Sequence, residues 1–327
     1  MALGFTDEPD HRKNHSYPIS RSGGIAIFVA FFLSSLVAYL LNWQNIPISI
    51  NSKYVISLIS IFAFFALGLF EDLYQSSPFL RLFIQILIAI FIYSNGILIG
   101  FIDIPFSDFF NNDYLELPDL ISLIITILWI VGITNAFNWI DGLDGLAAGV
   151  TFISALNIML INLTDNQIQT AFLSSALAGS CLGFIPENRF PAKLHMGDSG
   201  SYLLGTSISI LSLLTFSHMS LDVDYDINKI NIFLCLLSVA IPVFDMTYVI
   251  FNRLKLNRSP FFPDRSHLHH RILDSGFNSE QTVFIICTIV LFLYSFINLL
   301  KGNFILSSIN FSIGSVFLFL KFLTIKK

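Results

Sequence analysis

Of 327 residues, 54% are hydrophobic and only 12% charged, where a soluble domain has about 25% charged residues. With a mean hydropathy of +0.74 and 35 Phe, the chain reads as a polytopic membrane protein and not a water-soluble enzyme. The net charge of −5 gives no support to a nucleic-acid partner, and none is expected.

The first 22 residues are polar and lack the apolar centre of a signal peptide. Ten stretches then approach the roughly 20 apolar residues that a spanning helix needs: 23–41, 54–70, 81–99, 119–137, 145–162, 168–185, 200–216, 230–251, 281–300 and 304–322. The expected fold class is all-α, a polytopic integral membrane helical bundle of about ten transmembrane helices. It forms one domain over 1–327, with 1–22 and 252–280 as cytoplasmic loops. Placing the N-terminus in the cytoplasm leaves only Lys53, Lys229 and Lys301, of 17 Lys and Arg, on the other face. Positive charge collects on the cytoplasmic side, so both termini are expected there. Cys181, Cys235 and Cys287 fall inside spans and read as small packing residues.

Polar residues cluster in five places. Arg12-Lys13-Asn14-His15, Pro18, Arg21, Gly23 and Gly24 precede the first span. Glu71-Asp72 closes the second, and Arg81 and Gln85 open the third. Asn135 to Gly145 follows the fourth span and contains Asn138, Asp141 and Asp144. Asn188 to Ser201 precedes the seventh and contains Lys193, His195 and Asp198. Arg258 to Arg271 contains Asp264, Arg265, His267, His269 and His270. Threading ten spans puts all five clusters on the cytoplasmic face, whereas loop filler would be spread over both.

The chemistry that suits them is transfer between phosphates at the membrane surface. Mg²⁺ takes oxygen ligands, usually one or two carboxylates plus substrate phosphates. Asp198 is the first choice as that ligand: Gly197 and Gly200 flank it, and the helix N-terminus behind it favours anions. Lys193, Arg258 and Arg265 can neutralise a diphosphate, and the histidines can donate hydrogen bonds to it. Each feature has a plainer reading. Asp198 is also a good N-cap. Glu71-Asp72 is also an ordinary solvated helix end, and Asp141/Asp144 a turn. The histidines also suit zinc. Asp245 lies within a span, where a buried acid is either functional or paired with a neighbouring helix.

Taken in order, the motifs resemble the polyprenyl-phosphate N-acetylhexosaminyl-1-phosphate transferases, related to phospho-MurNAc-pentapeptide translocase. They run Arg12-Lys-Asn-His15 with Gly23-Gly24, Glu71-Asp72 with Arg81 and Gln85, and Asn135-x-x-Asn138-x-x-Asp141-x-x-Asp144. Lys193-x-x-Met196-Gly-Asp198, Pro242-x-x-Asp245 and Asp264-Arg265-x-His267-Leu-His269-His270 complete the series. The resemblance implies that undecaprenyl phosphate attacks the β-phosphate of a UDP-N-acetylhexosamine, giving undecaprenyl-diphospho-sugar and UMP with Mg²⁺, or Mn²⁺ in its place. UDP-GlcNAc is the default donor, with UDP-FucNAc or UDP-QuiNAc as competitors. It implies Asp198 and Asp72 on the metal side, and Glu71, Asp72, Asp141, Asp144, His267, His269 and His270 as catalytic. Asn135, Asn138, Lys193, Arg258, Arg265, Asp245 and Arg21 would bind substrate. It implies the bacterial inner membrane and is compatible with a homodimer.

Three departures accompany it. The family pattern has a helix before the Arg12 loop, so ten spans are expected here instead of eleven, by a shortened start or by loss of that helix. Glu71 stands where Asp is usual, and His195 where an aromatic is usual. The rival readings are a secondary transporter, which would place its site near the midplane between repeated halves, and an inactive paralogue.

Overall fold

The computed structural model describes residues 6–7, 19–41, 52–74, 76–103, 114–216, 232–262 and 264–325. Arg12, Lys13, Asn14, His15 and Pro18 of the first polar cluster lie outside them, as does Lys229.

The helices run α1 (Gly23–Leu41), α2 (Ser52–Tyr74), α3 (Pro78–Ser94), α4 (Asp119–Ile140), α5 (Leu146–Thr164) and α6 (Ile168–Asn188). They continue as α7 (Gly197–Phe216), α8 (Ile232–Ser238), α9 (Ala240–Lys255), α10 (Leu268–Asp274), α11 (Ser279–Leu300) and α12 (Phe304–Ile325). Among the described residues six are long and apolar enough to cross a membrane. The number is seven if α8 and α9, bent by 83° at their junction, form one broken span. Gly23–Val37, Pro78–Ser94 and Phe304–Phe319 are apolar but shorter.

The structure adds detail to these expectations at three places. The stretch 230–251 is two helices and not one. The 252–280 loop contains the end of α9, all of α10 and the start of α11. The chain is also not purely helical. β1 (Thr6–Asp7) pairs antiparallel with β2 (Ile19–Ser20), and β3 (Phe101–Asp103) with β4 (Tyr114–Glu116). Interhelical segments must still find partners for their backbone N–H and C=O groups, and short ribbons supply them.

Local sequence sets several boundaries. Ser77 caps α3 by accepting the Leu80 N–H at 3.3 Å, and Pro78 takes the first turn, where its missing N–H costs nothing. Asn278 and Gln281 form a reciprocal capping box at α11.

α7 is the axis of the bundle, almost wholly buried among α1, α2, α4 and α5. It is rich in Gly, Ser and Thr, which let neighbouring backbones approach where lipid supplies no hydrophobic drive. Its hydroxyls are tied across helices. The hydroxyls of Thr206 and Thr134 lie 3.0 Å apart, Ser212 accepts from Trp129 Nε1 at 3.2 Å, and Thr215 accepts from Asn162 at 2.7 Å. The helix whose first turn carries Asp198 is thus fixed at the centre of the molecule.

Candidate active site

The cluster is built on the first turn of α7. Gly197 has φ +70°, a left-handed backbone that side chains disfavour, and a Cβ there would lie 2.7 Å from both Asp72 carboxylate oxygens. Those oxygens accept the backbone N–H groups of Asp198 at 2.8 Å and Ser199 at 2.9 Å. A helix leaves its first N–H groups without partners and carries positive charge at that end. The Asp72 carboxylate answers both needs and docks the end of α2 on the start of α7. Glu71, its neighbour, points elsewhere. It is 3% exposed, accepts the backbone N–H of Ser76 at 3.1 Å and the Ser76 hydroxyl, and lies 3.7 Å from Arg81.

Asp198 keeps its own carboxylate partly open to solvent. One oxygen accepts from Asn138 Nδ2 at 2.8 Å, and Asn138 also donates to Ser201 at 2.9 Å. The other oxygen lies 3.9 Å from Arg81. From the α4 side, Asn135 donates to Gln85 at 2.7 Å. α1 closes the cluster from below: Gly23 and Gly24 donate their N–H groups to the carbonyls of His195 and Met196 at 3.0 and 2.9 Å. Arg21 sits half-buried at the approach to α1.

The Asp141–Gly145 turn is stapled to the α6–α7 loop. Asp144 accepts the Ala192 N–H at 2.9 Å, and its second oxygen is 3.6 Å from His195 Nε2. Gly145 donates to Asn188 at 3.0 Å, and Asn188 donates to the Leu194 carbonyl at 2.9 Å. Burial pushes the Asp141 carboxyl well above the usual range. His195 opposes that, while Asp198, Asp144 and Asp72 add to it by like-charge repulsion.

The histidine segment reaches the same turn from α9. Asp245, buried, accepts from the Leu268 N–H at 2.6 Å and lies 2.9 Å from His267 Nδ1. His269 is 1% exposed, with neither ring nitrogen hydrogen-bonded, and burial, then the charges of His270 and His267, push it down to about 3. Its ring rests on Gly142: a Cβ there would lie 2.5 Å from His269 Nε2. His270 is also pushed down, first by burial and then by Arg265.

The structure therefore gathers Glu71, Asp72, Asn138, Asp141, Asp144 and Asp198 and links His267 and His269 to them through Gly142. Three expected substrate cations are engaged with partners of their own on the surface. Lys193 pairs with Glu187 at 3.5 Å and Arg265 with Asp274 at 3.2 Å, while Arg258 lies 5.0 Å above the Phe262 ring. Some participants were not singled out from sequence. Asn188 belongs to a polar cluster but carries no assigned role there. Tyr202 is 1% exposed and hydrogen-bonded to Arg81. Arg253 stands on the helix that carries Asp245.

Mg²⁺ suits this donor set. The donors are all carboxylate or amide oxygens, and Asp198, Asp144 and Asp72 add their like charge to the burial that raises Asp141. Among the described residues no three His, Cys, Asp or Glu side chains close on one point. An ion here would be held by one or two carboxylates and completed by substrate phosphates.

Known proteins resemble this chain over most of its length. The family model for glycosyl transferase family 4 matches residues 54–216. The chain is 34% identical to a probable undecaprenyl-phosphate N-acetylglucosaminyl 1-phosphate transferase of Bacillus subtilis, over 88% of this chain and 74% of that protein. It is 36% identical to the undecaprenyl-phosphate alpha-N-acetylglucosaminyl 1-phosphate transferase of Pasteurella multocida, over 87% and 75%. It is 32% identical to the decaprenyl-phosphate N-acetylglucosaminephosphotransferase of Mycobacterium tuberculosis, over 87% and 72%. The matched segment opens in α2, which carries Glu71-Asp72, and closes at the end of α7, which carries Asp198; the chain belongs to glycosyl transferase family 4.

Proposed function

We propose that this chain transfers N-acetylhexosamine 1-phosphate from a UDP-sugar, UDP-GlcNAc by default, to undecaprenyl phosphate. The products are undecaprenyl-diphospho-sugar and UMP, and the step opens synthesis of a cell-surface polysaccharide. The observation that carries the reading is the packing of Asp72, Asp141, Asp144 and Asp198 around one helix N-terminus at the end of an apolar bundle. The names of the relatives supply the acceptor and the sugar.

In this reading all ten apolar stretches cross the inner membrane of a bacterium, the α8–α9 pair as one broken span, and the cluster faces the cytoplasm, where UDP-sugars are made. The excess of Lys and Arg on that face supports the orientation.

Asp198 would hold Mg²⁺, or Mn²⁺ in its place, with Asp141 and Asp144 on the nucleotide side. Bound there, the ion would neutralise diphosphate charge as the phosphoryl group moves. Asp72 would act chiefly by seating the first turn of α7, since each of its oxygens already accepts an N–H. Its remaining lone pairs could share the ion or the lipid phosphate. Asn138 would orient Asp198. Arg81, between Glu71 and Asp198, offers a cation to the incoming lipid phosphate. The lipid phosphate needs little help from a base, because its second pKa lies near 6. His269, whose ring nitrogens no protein group uses, would offer the diphosphate its single N–H, steered by His267 and Asp245. Lys193, Arg258, Arg265 and Arg21 would contribute positive potential from the rim.

The test is UMP release by purified protein supplied with undecaprenyl phosphate, Mg²⁺ and a panel of UDP-N-acetyl sugars that includes UDP-FucNAc and UDP-QuiNAc. Release that needs both lipid and Mg²⁺ supports the reading and names the donor. Folded protein that is silent with every donor overturns it.

A further inference from the structure

Arg253 is 3% exposed, near the cytoplasmic end assigned to α9. A guanidinium removed from water must be fully paired to be tolerated. Here its Nη2 donates to Asp264 Oδ1 at 2.9 Å and its Nε to Asp264 Oδ2 at 3.3 Å, while Nη1 donates to the Pro260 carbonyl. Its Nη2 is also 3.5 Å from His267 Nε2. The plane of charge lies 5.1 Å above the Trp139 ring. Trp139 in turn meets His267 edge to face, with ring centroids 5.7 Å apart.

These contacts join three separate pieces of chain. α9 supplies Arg253, the connection to α10 supplies Pro260, Asp264 and His267, and the last turn of α4 supplies Trp139. Trp139 is two residues before Asp141. His269 stacks on His267 at 5.6 Å and rests on Gly142. Asp245, from the same helix as Arg253, grips the other nitrogen of His267. The His267 ring is thus fixed at both nitrogens by one helix, and that ring and Trp139 set where His269 meets the Asp141–Gly142 turn.

We propose that Arg253 is a positioning residue, which clips the Asp264–His267 segment onto Trp139 and so registers His269 against the carboxylate turn. It acts through Asp264, His267 and Trp139, with no contact to the reacting phosphates. The proposal rests on the transfer reading above for its kinetic consequence but not for its structural one.

The kinetic experiment uses full-length protein in lipid nanodiscs and compares Arg253→Lys, Asp264→Asn and the double variant. Lys keeps the charge but cannot make the forked pair. Each single variant should lower kcat for UMP release at least tenfold, with KM for undecaprenyl phosphate changed less than twofold. The double variant should be no worse than the poorer single one, because both remove the same clip. Additive losses, or wild-type kcat in Arg253→Lys, would overturn the proposal.

A second measurement needs no turnover. Labelling with 5-fluorotryptophan gives one ¹⁹F line for each of the three Trp, and Trp139→Phe assigns the line of Trp139. Arg253→Lys should shift that line and leave the Trp129 line in place, since Trp129 is held by Ser209 and Ser212. An unmoved Trp139 line would sink the clip even if the enzyme proved to use another substrate. A line that moves in Arg253→Lys, while the wild-type protein releases no UMP, would uphold the clip and count against the transfer reading alone.

Discussion

Asp72 holds Asp198 by its backbone and leaves its side chain alone. The two residues are 126 apart in sequence, and the link is an Asp72 oxygen accepting the Asp198 N–H at 2.8 Å. Two neighbouring acids in a phosphoryl-transfer site can therefore have different jobs, one seating the helix and the other facing the substrate.

That division predicts different costs for the same isosteric change. Asp72→Asn replaces one acceptor oxygen with an NH₂ group that faces a backbone N–H. It should lower both thermal stability and turnover, by several degrees in Tm and at least tenfold in kcat. Asp198→Asn, at a partly open side chain, should leave Tm within a degree or two and cut kcat by at least a hundredfold, about 2.7 kcal/mol of transition-state stabilisation. Thermal shift and UMP release on both variants check this. Equal effects on Tm would contradict the assigned roles.

Chelation should reveal the ion. Excess EDTA should stop UMP release, and Mg²⁺ should restore it in full, with Mn²⁺ as a weaker or equal substitute. The carboxylates supply only part of a coordination shell, so the apparent Mg²⁺ affinity should tighten as UDP-sugar is added. Titrating Mg²⁺ at two donor concentrations measures that coupling.

Gly142→Ala tests the contact between the carboxylate turn and the histidine segment. The new methyl would stand 2.5 Å from His269 Nε2, well inside van der Waals contact, so the ring or the turn must move. We expect kcat to fall more than tenfold. If the cause is this clash, Gly142→Ala should cost little further in a His269→Ala background, where the ring is gone. UMP-release kinetics on the four-member cycle decide the point.

The contribution of His269 to the pH dependence of stability has a definite sign. His269 is pushed from 6.5 down to about 3 in the folded protein, chiefly by burial. Between those values the unfolded chain binds the extra proton and the folded chain does not, so acid favours unfolding. This contribution fades above pH 6.5 and grows as pH falls toward 3, to about 5 kcal/mol at most. Asp141, raised in the folded protein, works in the opposite direction, so the share of His269 is read by difference: the fall in Tm from pH 7 to 5 should be smaller, or the rise larger, in His269→Phe than in the wild type. Asp264 opposes no part of this window. Burial alone would raise it, but Arg253 and Ser266 outweigh burial and hold it at about 2, so its stabilising charge persists until the pH falls through that value.

Ten apolar stretches were legible because a chain in lipid must satisfy every backbone group within its own helices, and the length of hydrocarbon fixes the length of the run. Nine of the ten run largely along a single helix and 230–251 along two, and among the described residues six, or seven with the α8–α9 pair as one, are long and apolar enough to cross a membrane. The break in 230–251 was not legible, because Val239 and its neighbours are as apolar as the helices they separate; hydropathy reports solubility in lipid, not direction. The acidic and histidine motifs were legible from residue type and order, and the family from their sequence along the chain. Their contacts were not. Glu71 and Asp72 are adjacent in sequence, but helix geometry turns one toward the Ser76 turn and the other toward α7. Arg253 reads as one more positive charge on the cytoplasmic side until packing removes it from water and hands it Asp264 and Trp139. Hydropathy and residue type place the chain in lipid and name the groups that can handle phosphate. Which of them meet follows from packing, because the pairings join α2 to α7, the α4–α5 turn to the α6–α7 loop and α9 to α4 across separations that no local pattern encodes.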